Sequence, residues 1–157
     1  MKIALTGHRK ERLRGNEEVV ETWIHNVLRF LLMEQEEQIM IFGGADGADV
    51  LFGSLIWWFP TAKLHLCLPV KGYREKKMHP YIKKMKAEEH VMAEEWRPGL
   101  NEVRDRYMVN NCDILIAVWD GIEKGGVWET IQYARAINKP IIYFPHEILL
   151  KEVSDNV

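Results

Sequence analysis

The sequence predicts a single α/β domain, residues 1–157, built on a doubly wound and mainly parallel sheet of about five strands. Short apolar runs typical of buried strands alternate with longer amphipathic segments typical of helices. Because ligands of open parallel sheets bind beyond the carboxyl ends of the strands, glycine turns at those ends also predict the functional site. Three such turns are present, at Thr6-Gly7, Gly43-Gly44 and Gly125-Gly126.

The first half of the chain contains three predicted strands and two predicted helices. The first helix is amphipathic, because apolar side chains recur at every third or fourth residue. Pro60 stops the second helix, and Pro69 closes the strand after it. The predicted elements are strand Lys2–Leu5, helix Glu17–Met33, strand Gln38–Phe42, helix Asp46–Trp58 and strand Ala62–Leu68.

The second half continues the alternation. A basic segment, Lys71–Met92, carries one predicted helix from Pro80 onward. Ile114–Val118 is continuously apolar, the pattern of a parallel strand covered on both faces. We expect the first strand to be central, flanked by the second and fourth. The remaining predicted elements are helix Asn101–Asn111, strand Asp113–Val118, helix Gly126–Ile137, strand Pro140–Phe144 and, after Pro145, a short helix with an irregular end.

Composition narrows the possible functions. A net charge of −2 provides no general attraction to nucleic acid or to anionic membranes, so any phosphate binding must be local. The apolar runs are too short to span a bilayer and the chain starts directly with a strand, so we expect a cytoplasmic protein without a secretory leader. Cys67 and Cys112 lack metal-ligand spacing and are expected to be buried thiols. No metal and no cofactor are expected.

The Gly125-Gly126 pair opens the last long predicted helix and predicts an anion site. The first amides of a helix have no partner within it, and glycine lets a ligand approach the backbone closely. Only one of two nearby arginines is expected to add its charge to this site, because helical residues two apart point in different directions. The predicted contacts are Gly125, Gly126, Val127 and either Arg104 or Arg106.

The two earlier glycine turns are further candidates for ligand binding. The T-G-H-R turn at 6–9 either contacts a ligand or is a plain turn with a solvated arginine. The 43–49 turn either presents amides to a phosphate or only shapes the backbone, with Asp46 as a helix cap. Its carboxylates would repel a phosphate and suit a ribose hydroxyl better. The candidate contacts are Thr6, Gly7, His8, Arg9, Gly43, Gly44, Ala45, Asp46 and Asp49.

Tryptophans mark two further surfaces. Trp119 and Trp128 flank the last glycine turn, where they either stack on a nucleobase or belong to the core. Trp57 and Trp58 end a predicted helix, Asp46–Trp58, that is apolar nearly all round. One domain covers only one such face with its sheet, so the remaining apolar surface predicts a homodimer or larger oligomer.

Taken in order, these motifs resemble those of the SLOG superfamily of Rossmann-like domains. The resemblance rests on T-G-H-R at 6–9, G-G-A-D-G-A-D at 43–49, R-D-R-Y-M at 104–108 and G-G-V-W-E-T at 125–130. It covers nearly the whole chain and is strongest to the small stand-alone YpsA/YspA-like members, often found in bacteria and their phages. It implies a Rossmann-like fold, a pocket for a nucleotide-derived molecule and a dimer or larger oligomer.

The resemblance leaves three functions open. The first, which we favour, is a module that binds a nucleotide or nucleotide-derived molecule, to sense or sequester it. The second is an N-glycosidic hydrolase or transferase similar to the LOG-type phosphoribohydrolases, which use an arginine and a glutamate. The third is single-stranded DNA binding similar to that of DprA, which the slightly acidic net charge disfavours.

The hydrolase interpretation assigns its catalytic residues through the resemblance. Arg104 matches the LOG-type arginine. The LOG-type glutamate ends the motif P-G-G-x-G-T-x-x-E, and when Gly126 is aligned with the third glycine of that motif, the glutamate position falls on Thr130. Glu129 lies one residue earlier, about 100° around the helix. In this interpretation, the carboxylate that would assist departure of the base is supplied by one of three candidates, Glu129, Asp46 or Asp49.

Overall fold

A computed structural model describes residues 1–151 and contains a six-stranded sheet. The strands are β1 (Lys2–Gly7), β2 (Ile39–Phe42), β3 (Lys63–Leu68), β4 (Glu88–Val91), β5 (Ile114–Val118) and β6 (Ile141–Tyr143). Every neighbouring pair is parallel, and the order across the sheet is β4-β3-β2-β1-β5-β6. The predicted α/β fold is confirmed, and β1 lies between β2 and β5 as expected.

Helices connect the strands and cover both faces of the sheet. They are α1 (Lys10–Leu13), α2 (Glu17–Leu32), α3 (Ala48–Ser54), α4 (Tyr73–Lys77), α5 (Pro80–Lys84), α6 (Leu100–Asn110), α7 (Gly126–Ala136) and α8 (His146–Leu149). Between residues 1 and 151, the helices are all too short or too polar to cross a membrane. The irregular end predicted after the last helix lies outside the described residues.

Two predictions about the elements need correction. The sheet has six strands because Glu88–Val91, within the segment predicted to contain only a helix, pairs with β3 as β4. This strand lies at the edge of the sheet and carries two acids and a histidine, so it lacks the apolar run that marks the buried strands. The predicted helix Asp46–Trp58 is also shorter. It begins at Ala48 and gives way to a 3₁₀ turn at Leu55–Trp58.

The core explains the continuous apolar pattern of the central strands. Ile3 and Leu5 of β1 are fully buried in one cluster with the inner face of α2. Ala4, between them, belongs to a second cluster that includes Val109 of α6 and Ala134 of α7. Successive side chains of a strand point to opposite faces, so a strand covered on both faces has no polar positions. Burial of each isoleucine or leucine side chain stabilises the fold by roughly 1.5–3 kcal/mol.

The strand order places a crevice beside β1. The chain runs outward from β1 through β2, β3 and β4, then returns to the other side of β1 to form β5 and β6. The connections after β1 and β5 therefore diverge to opposite sides at their carboxyl ends. Such a switch point is where ligands bind in open α/β sheets.

Candidate ligand pocket at the carboxyl ends of the central strands

A cavity of about 480 Å³ lies at this switch point, between the loops after β1 and β2 and the helices α6 and α7. Its volume is in the range of pockets for small molecules. The predicted contacts that line it are Thr6, Gly7, His8, Arg9, Gly43, Ala45, Asp49, Arg104, Gly126, Val127 and Thr130. We call this space the main cavity.

Arg104 reaches the main cavity from α6 and is held by two groups. Its Nε donates to Oδ1 of Asp105 at 2.7 Å, and its Nη1 donates to the carbonyl oxygen of Gly43 at 3.3 Å. Burial lowers the pKa of the guanidinium, but the charges of Asp105 and Asp49 outweigh it, so the net shift is upward. Arg104 is therefore a fixed positive charge at the wall of the cavity.

Arg106, the alternative candidate, points elsewhere. Its guanidinium lies 5.0 Å from the ring centre of Tyr133, a cation–π contact. It lines a neighbouring cavity of about 520 Å³, together with Glu129, and the two cavities share Asp105 and Thr130. The expected divergence of the two arginines is thus present, and Arg104 is the one in the main cavity.

Gly43 allows Arg104 to approach the end of β2. A Cβ atom at this position would lie 2.9 Å from Nη1 of Arg104 and 3.3 Å from Oδ2 of Asp49. No side chain fits there without moving the arginine. The first glycine of the second turn is therefore required by packing against Arg104.

Asp49 is a buried carboxyl in the main cavity. Its Oδ2 accepts a hydrogen bond from the amide of Ala45 at 3.0 Å. Burial raises the pKa of Asp49 to about 6, although the Ala45 amide and the charge of Arg104 act in the opposite direction. A carboxyl with such a pKa can hold or release a proton near neutral pH.

The loops after β1 and β2 are braced by main-chain contacts. The amide of Ala48 donates to the carbonyl oxygen of His8 at 3.1 Å, and the amide of Lys10 donates to that of Asp46 at 3.2 Å. Gly47 is the N-cap of α3, with φ at 127°. Since the Ala48 amide is already bonded to the first loop, the start of α3 does not offer that group to a phosphate.

His8 belongs to this scaffold although it lines the cavity. It is buried, and its Nε2 accepts a hydrogen bond from the amide of Asp120 at 3.1 Å. Burial lowers the pKa of His8, with the charge of Asp120 opposing it. The same nitrogen lies 3.1 Å from Oδ1 of Asp120, a carboxylate that also pairs with Arg12.

Arg12 and Asp120 form a two-point ion pair that ties α1 to the turn after β5. The Nε and Nη2 of Arg12 donate to the two carboxylate oxygens of Asp120, at 2.9 and 2.8 Å. Burial raises the pKa of Asp120, but the Ile122 amide and Arg12 together bring it below its ordinary value. The positive charge of Arg12 is therefore largely used within the protein.

The start of α7 faces the main cavity through Gly126 and Val127. The N-cap of this helix is Gly125, with φ at 89° and no side-chain cap. Among residues 1–151, no acceptor bonds the amides of Gly126 or Val127. Thr130, one turn further on, donates its hydroxyl to the carbonyl oxygen of Gly126 at 2.8 Å. The helix end thus presents unpaired amides to the cavity.

Several predicted contacts lie outside the main cavity. Trp119 and Trp128 stack on each other, with ring centres 5.2 Å apart and planes within 10°. Trp119 also donates its indole N–H to the carbonyl oxygen of Ile122. Gly44 and the exposed Asp46 line an adjoining cavity of about 250 Å³. The predicted contacts outside the main cavity are Gly44, Asp46, Arg106, Trp119, Gly125, Trp128 and Glu129.

Four polar lining residues were not among the predicted contacts: Glu11, Arg12, Asn101 and Asp105. Arg12 has a sequence signal, because it continues the basic run after the first turn. Its partner Asp120 has another, because it follows a buried strand at the edge where ligands bind. Glu11 and Asn101 have none, since they lie in polar segments typical of solvated surfaces.

The chain is similar to known proteins at the level of fold. No protein-family model and no curated protein matches it. It is similar to TM1055, a structural genomics target, at 16% identity and a TM-score of 0.58, over 89% of this chain and 71% of that one. It is also similar to a molybdenum cofactor carrier protein from Chlamydomonas reinhardtii, at 16% identity and a TM-score of 0.63, over 90% of this chain and 75% of that one. These likenesses support a Rossmann-like fold.

Proposed function

We propose that the chain binds a nucleotide or nucleotide-derived small molecule in the main cavity, in order to sense or sequester it. The observation that carries this proposal is the pairing of Arg104 with the start of α7 across one cavity. A fixed guanidinium and unpaired helix amides are the two groups that hold phosphate in proteins. The cavity lies at the strand switch point, where this class of fold binds its ligands.

The contacts available in the main cavity are sufficient for micromolar binding of a small ligand. A contact at a helix end contributes about 0.3–1 kcal/mol when exposed and up to about 2 kcal/mol when partly buried. A hydrogen bond to a charged group adds roughly 1.5–3 kcal/mol. Arg9 is exposed at the rim and, within residues 1–151, has no ion-pair partner, so it is free to cover a phosphate. Together these contacts support micromolar binding, about −8 kcal/mol.

The acidic side chains of the cavity narrow the ligand class. Asp49, Asp105 and Glu11 line the same space as the arginines. A ligand that is anionic throughout would meet repulsion from them, whereas one with a phosphate at one end and hydroxyls at the other would not. Asp49, which lines the cavity, is placed to accept a hydrogen bond from a ribose hydroxyl. This mixture of groups favours a nucleotide.

The charge distribution also disfavours DNA binding. A single-stranded DNA site needs a continuous basic groove that follows the phosphates. Here each buried or half-buried arginine has an acidic neighbour, Asp120 beside Arg12 and Asp105 beside Arg104, so the two do not form a continuous basic groove. A small ligand that contacts one end of the cavity needs no such groove.

A second candidate function is hydrolysis or transfer at the N-glycosidic bond of a nucleotide. Asp49 favours it, because a buried carboxyl with a pKa of about 6 is suited to protonate a departing base. Glu129, the residue suggested by the LOG-type motif, is exposed and lines the neighbouring cavity with Arg106, not the main cavity. If the chain is an enzyme, we therefore assign the carboxylate role to Asp49 and the phosphate-binding role to Arg104.

The name of one neighbouring structure supports a binding role, without identifying the ligand of this chain. That neighbour is named as a carrier of the molybdenum cofactor, which is a binding rather than a chemical function. We propose the same class of role for this chain, acting as a cytoplasmic homodimer or larger oligomer. The ligand class rests on the cavity and not on that name.

Calorimetry with a matched pair of variants tests this proposal. The wild type is titrated with nucleoside mono- and diphosphates, cyclic nucleotides and ADP-ribose, and each mixture is then analysed for release of free base. Arg104→Ala should weaken binding of the best ligand by roughly ten- to a hundredfold, the loss of one charge-assisted hydrogen bond. Arg106→Ala, on the same helix but outside the main cavity, should bind as the wild type does. Equal effects of the two substitutions would contradict the proposed site, and base release that Asp49→Asn abolishes would favour the hydrolase.

A further inference from the structure

Three potential metal ligands converge at one edge of the sheet, away from the main cavity. The Nε2 of His65 lies 2.7 Å from Oε2 of Glu88, and the Nε2 of His90 lies 3.2 Å from the same oxygen. All three ligand atoms lie within 4.8 Å of one another. The centres of the two imidazole rings are 4.7 Å apart. Both rings present their Nε2 to the same carboxylate oxygen.

The parallel pairing of β3 and β4 creates this cluster. His65 is the register partner of Glu88, and Cys67 is the register partner of His90. Residues two apart on a strand share a face, so Glu88 and His90 both lie on the side of His65. The spacing of cysteines along the chain does not reveal the cluster, because its ligands are imidazoles and a carboxylate from two strands.

Tyr107 of α6 orients one of the imidazoles. The Nδ1 of His90 lies 2.8 Å from the Tyr107 hydroxyl oxygen. When Nδ1 donates to this oxygen, Nε2 carries the lone pair that a metal requires and directs it toward Glu88. Such a second partner on the remote ring nitrogen is typical of histidines that bind metals.

We propose that His65, Glu88 and His90 bind a divalent transition-metal ion of the Zn²⁺ class. Two imidazoles and one carboxylate suit Zn²⁺, which takes nitrogen and oxygen ligands at about 2.0–2.2 Å in tetrahedral geometry. Ligand atoms around such an ion lie roughly 3.3 Å apart, and the Nε2 of His90 lies 3.2 Å from Oε2 of Glu88. Three protein ligands leave the fourth position to water. Mg²⁺ does not fit, because it prefers oxygen ligands in an octahedron.

A metal at this position would link three elements that are otherwise joined by edge pairing and side-chain packing. It would attach the edge strand β4 to β3 through Glu88 and His90. Through Tyr107 it would also touch α6, the helix that places Arg104 in the main cavity. We therefore expect bound metal to stabilise the fold, and the test does not depend on the ligand of the main cavity.

The test is titration of tag-free, chelator-treated protein with Zn²⁺ alone, followed by calorimetry and, with Co²⁺, by visible absorption. The wild type should bind one equivalent, raise its melting temperature and give the intense Co²⁺ bands of a tetrahedral site. Tyr107→Phe should weaken binding by roughly 10–100-fold, as expected for loss of an outer partner. His65→Ala and His90→Ala should weaken it further.

Two variants make the result independent of misfolding. Glu88→Gln changes a side chain that is 65% exposed, so it should fold normally and still lose affinity. His146→Gln is the matched control, because His146 also faces a glutamate, Glu147 at 3.4 Å, but has no third ligand nearby among residues 1–151. It should bind as the wild type does. The proposal is overturned if the wild type binds no stoichiometric Zn²⁺, if Mg²⁺ binds equally well, or if Glu88→Gln behaves like the control.

Discussion

The amide of Ala48 donates a hydrogen bond to the carbonyl oxygen of His8 at 3.1 Å, so the loop after β2 supports the loop after β1. A second bond, from Lys10 to Asp46, runs in the opposite direction at 3.2 Å. The glycine-rich 43–49 turn therefore acts as a backbone brace for the residues at the mouth of the main cavity. Its glycines serve packing first.

Gly47→Ala should destabilise the fold more than an alanine at any other described glycine with a positive φ. A Cβ atom at Gly47 would lie 2.5 Å from the carbonyl oxygen of His8 and 2.7 Å from the amide nitrogen of Lys10. Backbone strain at its φ of 127° adds roughly 1–3 kcal/mol. Gly72→Ala is the control, because φ there is 77° and a Cβ atom meets nothing within 4 Å. Urea unfolding measures both; equal losses of stability would refute the brace.

Gly43→Ala should weaken ligand binding by displacing Arg104. The new Cβ atom would lie 2.9 Å from Nη1 of Arg104, while the backbone at Gly43 is not in the left-handed region. We expect roughly a tenfold loss of affinity, part of the contribution of one charge-assisted hydrogen bond. In an Arg104→Ala background the same change should have almost no further effect. Additive losses, measured by calorimetry, would mean that Gly43 acts by another route.

Asp49 should make stability depend on pH in the acid range. Its pKa is raised by burial to about 6 from an ordinary 3.8, so the folded protein keeps a proton that the unfolded chain loses. The stabilising contribution is therefore complete below about pH 4 and is lost as the pH rises through 6. Relative to Asp49→Asn, the wild type should lose roughly 2 kcal/mol of unfolding free energy between pH 4 and 7.

Urea unfolding at several pH values measures this difference. Asparagine can still accept the hydrogen bond from Ala45, so the variant should fold. Asp46→Asn, which changes an exposed carboxylate in the same loop, should follow the wild-type curve. Parallel stability curves for the wild type and Asp49→Asn would show that Asp49 does not titrate in this range.

Trp57 and Trp58 should lie in the interface of a homodimer. Their side chains are 80% and 69% exposed at the end of the 3₁₀ turn, and adjacent exposed aromatics are enriched where proteins associate. Trp57→Lys should convert a dimer to a monomer, as measured by light scattering at micromolar concentration. Trp96→Lys, a change at a separate tryptophan that is 55% exposed, should leave the mass unchanged. A monomeric wild type would contradict the prediction.

The sequence was sufficient for features that depend on local pattern. The apolar run at Ile114–Val118 predicted a strand covered on both faces, and alternation of strands and helices predicted the doubly wound sheet. β4 was missed because its side chains are half acidic and its pairing depends on β3, not on its own composition. The two-point pair of Arg12 and Asp120 was missed for a related reason. The residues are 108 positions apart, and only the folded sheet brings them together.

The two margins of the sheet limit how copies of the chain can associate. β6, at one margin, is only three residues long, and β4, at the other, carries Glu88 and Glu89. Two copies that met along β4 would bring like charges together, and two that met along β6 would gain few main-chain bonds. Growth of the sheet into a continuous fibre is therefore disfavoured. Association through the helical faces, where the tryptophans lie, carries no such penalty.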